Sequence, residues 1–428
     1  MPSLSAAEAR LCQVISTRFS AMLADLRQFV LFRTGPGPGQ AEQLDAFRTA
    51  MLARLASVGG SWHLIPGNAS PAWLKKPGDS GPSSPPPTAI IRNFNPAAPG
   101  SAAGRAVLLA GHLDTVHPTT GDFAGLNIAA DQSTATGPGT VDMKGGIVLA
   151  LHALEALAEC GIPVHWSFLL NSDEETGSFA SDQTIRSEAS LLHNQTRIFA
   201  AGLAFEPAVG GAARADAPRP STWKLALARG GSGQFHLATT GRRAHVGRDF
   251  AAGVSAVDAL CRTIIAAHAA SDPARGICVN ISPLWCPDAT NVVAGEAAAW
   301  GNVRYPDPQA GQHLQAALAA LATDPAAMPA VAVNSTFSRP AKPADDATRA
   351  LAARYQQCCC DLGGELEFMT SAGVCDGNNM QAAGLPTIDT LGICGGGLHT
   401  TTEWVELSSM VHRCQCLALL IGRLARGA

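Results

Sequence analysis

The sequence predicts a mixed α/β fold: a mostly parallel sheet flanked by helices, with a smaller α+β domain inserted into it. Three observations carry this. From residue 106 onward, apolar β-like runs alternate with helical patterns; most of those runs end beside a histidine or a carboxylate; and Pro-rich seams at 207–221 and 338–344 bracket a stretch of different rhythm. At 428 residues the chain exceeds what one hydrophobic core usually serves, so two domains are expected. The boundaries read as 1–221 plus 339–428 for a discontinuous domain and 222–338 for the insert.

The elements follow in order. The first ~60 residues read as helical, with Met22, Leu23, Leu26 and Phe29, then Phe47, Met51, Leu52 and Leu55, at i, i+3, i+4 spacing. The stretch 66–87, dense in Pro, Gly and Ser, reads as a surface loop. AVLLAG (106–111), a helix over 145–159 closed by Gly161, VHWSFLL (164–170) and IFAAGLAF (198–205) supply the β/α alternation of a parallel sheet. The insert reads as strands WKLALA and GQFHLATT, a helix over 253–268, strands ICVNIS and AAAWGNVRY, a helix over 308–322, and strand AVAVNSTF. That order suits a ferredoxin-like α+β sandwich. An α/β pattern that includes TIDTLGI then resumes.

Composition narrows the function. Hydrophobic residues at 46% and charged residues at 15% describe a well-buried globular protein. A net charge of -4, without a Lys/Arg stripe, argues against a nucleic-acid partner. No signal-like start and no apolar run long enough to span a bilayer are present, so no membrane association and a cytoplasmic location are expected. The 12 cysteines are scattered, Cys358, Cys359 and Cys360 are contiguous, and no paired C-x-x-C knuckles exist. Free thiols in a helical segment are expected there.

Five residues that can bind metal lie near the ends of apolar runs: His112, Asp142, Glu175, Glu206 and His399. Two imidazoles and three carboxylates suffice for a pair of divalent cations if one carboxylate is shared. In GHLDTVHP, Asp114 stands two residues from His112, so its carboxylate can accept the second imidazole N–H. Asp142, in GPGTVDMKGG, reads equally as a bridging carboxylate or a helix cap, and Gly145 and Gly146 leave the backbone room to approach a ligand. NSDEETGS concentrates Asp173, Glu174 and Glu175 at the mouth of the sheet, where one Glu can bind metal while its neighbour moves protons. FEP places Glu206 after a buried run, and GGGLH places His399 after three glycines.

Taken in order, H-x-D, D-M-K-G-G, D-E-E, F-E-P, R-R-A-H-V-G and G-G-G-x-H resemble the motifs of the M20 metallopeptidase family over about residues 105–410. That family includes glutamate carboxypeptidases, acetylornithine deacetylase and succinyl-diaminopimelate desuccinylase. The resemblance implies a zinc-exopeptidase-like main domain and makes the insert a lid and dimerisation domain. It implies that Asp142 bridges two metals, that Glu175 and His399 complete one site, and that His112 and Glu206 complete the other. Glu174 then matches the catalytic carboxylate and Asp114 the residue orienting His112, while the peptide from Asp142 to Met143 is expected to be cis. His245 resembles a lid histidine that donates to the oxyanion, often in the partner subunit; a surface histidine is the alternative. Asn291 and Arg304 match lid positions that bind the substrate's free carboxylate, and Lys224 resembles a further substrate-binding lysine at the start of the lid.

The resemblance implies a homodimeric hydrolase with two divalent ions, zinc favoured and cobalt or manganese compatible. It would release a C-terminal amino acid, glutamate first, from a small peptide or N-acyl amino acid. An N-acyl amino acid deacylase and a dipeptidase are the near alternatives, and a non-catalytic peptide-binding member the remote one.

Overall fold

The computed structural model describes residues 4–78, 84–98, 104–210 and 222–427. Its main sheet has six strands, in the spatial order Ser61–Ile65, Thr88–Arg92, Trp166–Asn171, Ala106–His112, Phe199–Ala204, Thr387–Ile388. The last four run parallel, and the first two form an antiparallel edge that the sequence pattern did not announce. The central strands Ala106–His112 and Trp166–Asn171 are buried along their whole length, which explains their unbroken apolar runs.

Helices cover both faces. The expected N-terminal helices are α1 (Ala6–Ser16), α2 (Phe19–Leu31) and α3 (Gln40–Ser57). With Gly145–Glu159 and the C-terminal helix Ser409–Arg426 they enclose the larger core, built around Leu26, Phe47, Leu151, Phe168 and Leu417. The other face packs Leu108, Leu169, Ile185 and Met380. Among the described residues no helix is long and apolar enough to cross a membrane.

A second core belongs to a four-stranded antiparallel sheet ordered Cys278–Trp285, Glu296–Tyr305, Gly231–Thr240, Ala330–Arg339, backed by the helices Ala256–His268 and Pro308–Ala319. That sheet therefore has one strand fewer than the five read from the sequence, and a short pair, Ala244–His245 with Val292–Val293, lies beside it. The strand Thr222–Arg229, read as opening it, pairs in parallel with Glu365–Ser371, and its Trp223, Leu225 and Leu227 enter the larger core. An apolar strand pattern shows burial but not which core receives it.

The chain leaves and re-enters the main body at adjacent points. Arg229 and Lys342 exchange both backbone hydrogen bonds at 2.9 Å, and the buried Asn378 amide donates to Gly230 O at 2.9 Å and Pro340 O at 2.8 Å. The fully buried Asp389 faces both cations, 2.7 Å from Arg229 and 3.3 Å from Lys342. The insert is thus joined at one narrow crossing, where a single buried carboxylate faces two cations.

Candidate metal centre and acid cluster

Three neighbouring parallel strands deliver their carboxyl ends to one place, where open α/β sheets gather ligands. His112 ends the central strand and is in register with Asn171, the last residue of its neighbour. Ser172 to Glu175 follow directly, and Glu206 lies two residues beyond Ala204 on the other side.

Asp142 arrives from the turn before the helix Gly145–Glu159. Its peptide to Met143 is cis, as the resemblance implied. Glu403 builds that turn: its buried carboxylate accepts the backbone N–H groups of Gly139, Val141 and Asp142 at 3.0, 2.8 and 3.1 Å, and it contacts His117 Nε2 at 2.5 Å. The two glycines serve packing and do not face a ligand. A Cβ on Gly146 would meet Phe205 O at 2.2 Å, and one on Gly145 would meet Ile393 at 2.5 Å.

The Asp142 carboxylate lies between the histidines, Oδ1 3.1 Å from His112 Nε2 and Oδ2 3.6 Å from His399 Nε2. His399, at φ 62° in the sparsely populated left-handed region, also lies 3.3 Å from Glu175 Oε2. Ligand atoms of His112, Asp142 and Glu175 fall within 4.8 Å of one another. Glu206 stands within electrostatic reach of Asp142, Glu174 and His112. The structure thus brings His112, Asp142, Glu175 and His399 together by distance and sets Glu206 within electrostatic reach of them.

Asp114 does more than the sequence expectation gave it. His112 Nδ1 lies 3.0 Å from the Asp114 backbone carbonyl and 3.5 Å from its carboxylate. The carboxylate also accepts the backbone N–H of Glu174 at 3.3 Å and of Glu175 at 3.0 Å. Asp114 therefore orients the acid loop as well as the histidine, a role that depends on which strand ends are neighbours.

The charges show what the cluster lacks. Burial, reinforced by the Asp142 charge, pushes Glu175 up to about 8. Burial and then the Glu174 charge raise Glu206 well above the carboxylate range. Burial opposes the Asp142 charge too, but hydrogen bonds to His112 and His399 outweigh it and hold its carboxyl low. His399 is raised to about 9, chiefly by its hydrogen bond to Asp142. Among the described residues, Glu175 Oε1 and Glu206 Oε1 are buried without a hydrogen-bond partner. Buried acids that repel one another, with orphaned oxygens beside two imidazoles, are the donor set that divalent cations satisfy. The residues fit the expected metal.

Glu174 is buried, and burial raises its pKa against the opposing charge of Arg339. Arg339 is the residue the sequence reading missed, because it sat in a seam read only as a Pro-rich linker. It contacts the Glu174 carboxylate, donates to the Glu174 carbonyl oxygen at 2.7 Å and to Ser178 Oγ at 2.6 Å, and lies 3.6 Å from Asp376. A strand pattern ending in Arg just before Pro was the available signal.

The remaining expectations separate. Arg304 joins the neighbourhood: on adjacent strands Arg304, Ser232 and Arg339 are successive register partners, and Arg304 feels the charges of Arg339 and Glu174. His245 is exposed and accepts the Gly247 N–H at 3.1 Å, and Asn291 is exposed with its carbonyl bonded to Val246 N. Among the described residues neither touches the acid cluster. Lys224 is exposed on Thr222–Arg229, in register with Val209 and Glu367, and so lies on the main body and not in the lid. Cys358 and Cys359 are buried free thiols and Cys360 an exposed one.

A family model described as peptidase family M20/M25/M40 matches residues 108–423. Carboxypeptidase G2 of a Pseudomonas species is 29% identical over 330 residues, covering 76% of this chain and 75% of that protein. Succinyl-diaminopimelate desuccinylase 2 of Shewanella loihica is 25% identical over 332 residues, covering 74% and 84% respectively. The solved dipeptidase Dug1p of Saccharomyces cerevisiae shares the fold with a TM-score of 0.67 at 15% identity, over 99% of both chains. The aminopeptidase PepT of Bacillus cereus gives 0.64 at 16%, over 95% of this chain and 99% of its own.

Proposed function

The chain belongs to peptidase family M20/M25/M40, and within that family of metal-dependent hydrolases we propose that it releases a C-terminal amino acid, glutamate favoured, from a small peptide or N-acyl substrate. The observation that carries this reading is Asp142 set between His112 and His399 with the buried Glu174 alongside. In it His112, Asp142, Glu175, Glu206 and His399 would hold two divalent ions, zinc favoured, with Asp142 the carboxylate placed to serve both. Bound there, the ions supply Lewis acidity and an acidified water.

Glu174 takes the water's proton and returns it to the leaving nitrogen, a role suited by a carboxyl raised above its ordinary range. Asp114 and Arg339 hold its loop and its carboxylate in place. Arg304, with its neighbour Arg339, receives the substrate's free carboxylate through paired N–H donors; Asn291, which lies beside His245, would reach that carboxylate only from a partner's insert, and Lys224 would act only from the main body. His245, apart from the acid cluster of its own chain, donates to the oxyanion across a homodimer formed through the inserted lid, residues 222–338 in the sequence reading and 231–339 by its sheet. A cytoplasmic location goes with this reading.

A second reading, deacylation of a small N-acyl amino acid, is favoured by the likeness to the desuccinylase. One experiment separates the two: steady-state kinetics on a panel varying the acyl group and the C-terminal residue, with metal content measured and a chelator control. Preference for C-terminal glutamate supports the first reading, and indifference to that residue with a sharp acyl preference supports the second. Activity that survives complete metal removal sinks both.

A further inference from the structure

The two faces of the inserted sheet meet different surroundings. Along Glu296–Tyr305, the residues Ala297, Ala299, Val303 and Tyr305 enter the insert's own core. Trp300, Asn302 and Arg304 therefore stand in a row on the opposite face. An unbroken register sets Arg304 beside Ser232, Asn302 beside Gln234 and Trp300 beside His236.

One end of this row is the acid cluster, where Ser232 is also the register partner of Arg339 and Arg339 holds Glu174. The other end, four residues away or roughly 13 Å along the strand, touches a segment from outside the insert. Trp300 Nε1 donates to the Trp73 carbonyl at 2.7 Å. The His236 ring centroid lies 4.9 Å from that of Trp300 and 6.3 Å from that of Trp73, and it is nearly parallel to Trp73 at 15°. Trp73 belongs to a single 3-10 turn, Ala72–Leu74, in the Pro-rich loop between two main-sheet strands. The base of that loop is fastened beside the acid loop, with Asn68 N donating to Ala180 O at 3.0 Å and Asn68 Nδ2 to Gln183 Oε1 at 3.1 Å.

We propose that Trp73 is a positioning residue for the hydrolysis: the 67–74 strap latches the far end of the inserted sheet, so that Arg304 and Arg339 are held over Glu174 before substrate arrives. The crossing at Gly230 and Pro340 pins only one end of the insert, and a body held at one narrow point turns about it. A second contact far from that point removes the rotation. The inference rests on the proposed reading in one respect, that Arg304 and Arg339 receive the substrate. Without the latch only a fraction of molecules hold the binding arrangement, which raises apparent KM by the inverse of that fraction and leaves turnover at saturation alone.

Trp73 is half-exposed on a short turn, so its removal spares both cores. Trp73→Ala is expected to raise KM by about 3- to 30-fold, with kcat within about twofold of wild type. It should also speed amide hydrogen exchange in Gly231–Thr240 and Glu296–Tyr305 but not in Ala106–His112. Trp73→Phe keeps a ring over His236 and the backbone carbonyl, and should stay close to wild type in both. Trp300→Phe loses the indole donor and should move in the direction of Trp73→Ala, by less. Unchanged exchange in Trp73→Ala, or a fall in kcat with KM unmoved, overturns the latch. A wild type that hydrolyses no member of the substrate panel sinks the functional reading instead, and the exchange comparison still decides the latch.

Discussion

Arg339 holds Glu174 by two atoms at once, one guanidinium nitrogen on the carboxylate and the other 2.7 Å from the residue's own carbonyl oxygen. The contact joins the last residue of the inserted sheet to the loop beyond the central strands. Arg339→Lys keeps the charge but loses the planar fork that also reaches Ser178. Its kcat/KM is expected to fall by about 10- to 100-fold, equivalent to one or two charge-assisted hydrogen bonds. Steady-state kinetics with a check of folding by circular dichroism decides it; wild-type kinetics would mean that the fork is dispensable.

Glu174→Gln is isosteric and removes the only function the mechanism asks of that side chain. Turnover should drop by about 10²- to 10⁴-fold, the usual worth of a general acid–base. Metal content, measured on the same preparation, should not change. Full turnover with metal bound would exclude Glu174 as the proton carrier.

His245→Ala should lower kcat by about one to three orders of magnitude and leave metal content intact, the range for a lost oxyanion donor. Because His245 is exposed and apart from the acid cluster of its own chain, the proposed oxyanion role would require a partner. Mixing Glu174→Gln chains with His245→Ala chains should then restore activity through hybrid dimers carrying one intact site. No recovery in a mixture shown to exchange subunits argues against action in trans.

Asp389→Asn leaves Arg229 and Lys342 buried without their carboxylate. Breaking such a group from one side costs about 3–5 kcal/mol. Urea unfolding should show the loss as a lower midpoint, and a change under about 1 kcal/mol would mean that the crossing tolerates the charges through backbone carbonyls alone.

Glu8 predicts a pH effect remote from the metal centre. Burial opposes its charge, but hydrogen bonds to Arg423 and Ser5 win and hold its carboxyl at about 2, below the ordinary 4.5. A depressed folded pKa contributes stability that is present above the unfolded value and is lost as pH falls from near 4.5 through about 2. Glu8→Gln should therefore destabilise the protein at neutral pH by about 1 kcal/mol or less, since solvent screens the pair. Its stability should also fall less steeply than wild type below pH 4.5. Parallel acid limbs in thermal melts would remove Glu8 from the account.

Much of this could be read in the chain. The apolar runs at 106–111, 164–170 and 198–205 became three adjacent parallel strands, and the residues placed just beyond them converged on one site. The strand Thr222–Arg229 misled, because its alternation suits either core and only its pairing with Glu365–Ser371 chose one. The latch at Trp73 was hidden for a related reason: its contacts are a backbone carbonyl and two rings distant in sequence.

What the sequence determined by itself was the inventory and its order: which residues can bind cations, that three adjacent acids follow one buried run, and that an insert interrupts the main body. Those follow from residue chemistry and from periodicity, which are local. The tertiary structure decided the partnerships, giving Asp114 to the backbone of Glu174 and Glu175, Arg339 to Glu174, and Glu403 to the turn of Asp142. Each joins groups more than 50 residues apart, and such a contact depends on which strand ends become neighbours, a relation that no local pattern encodes.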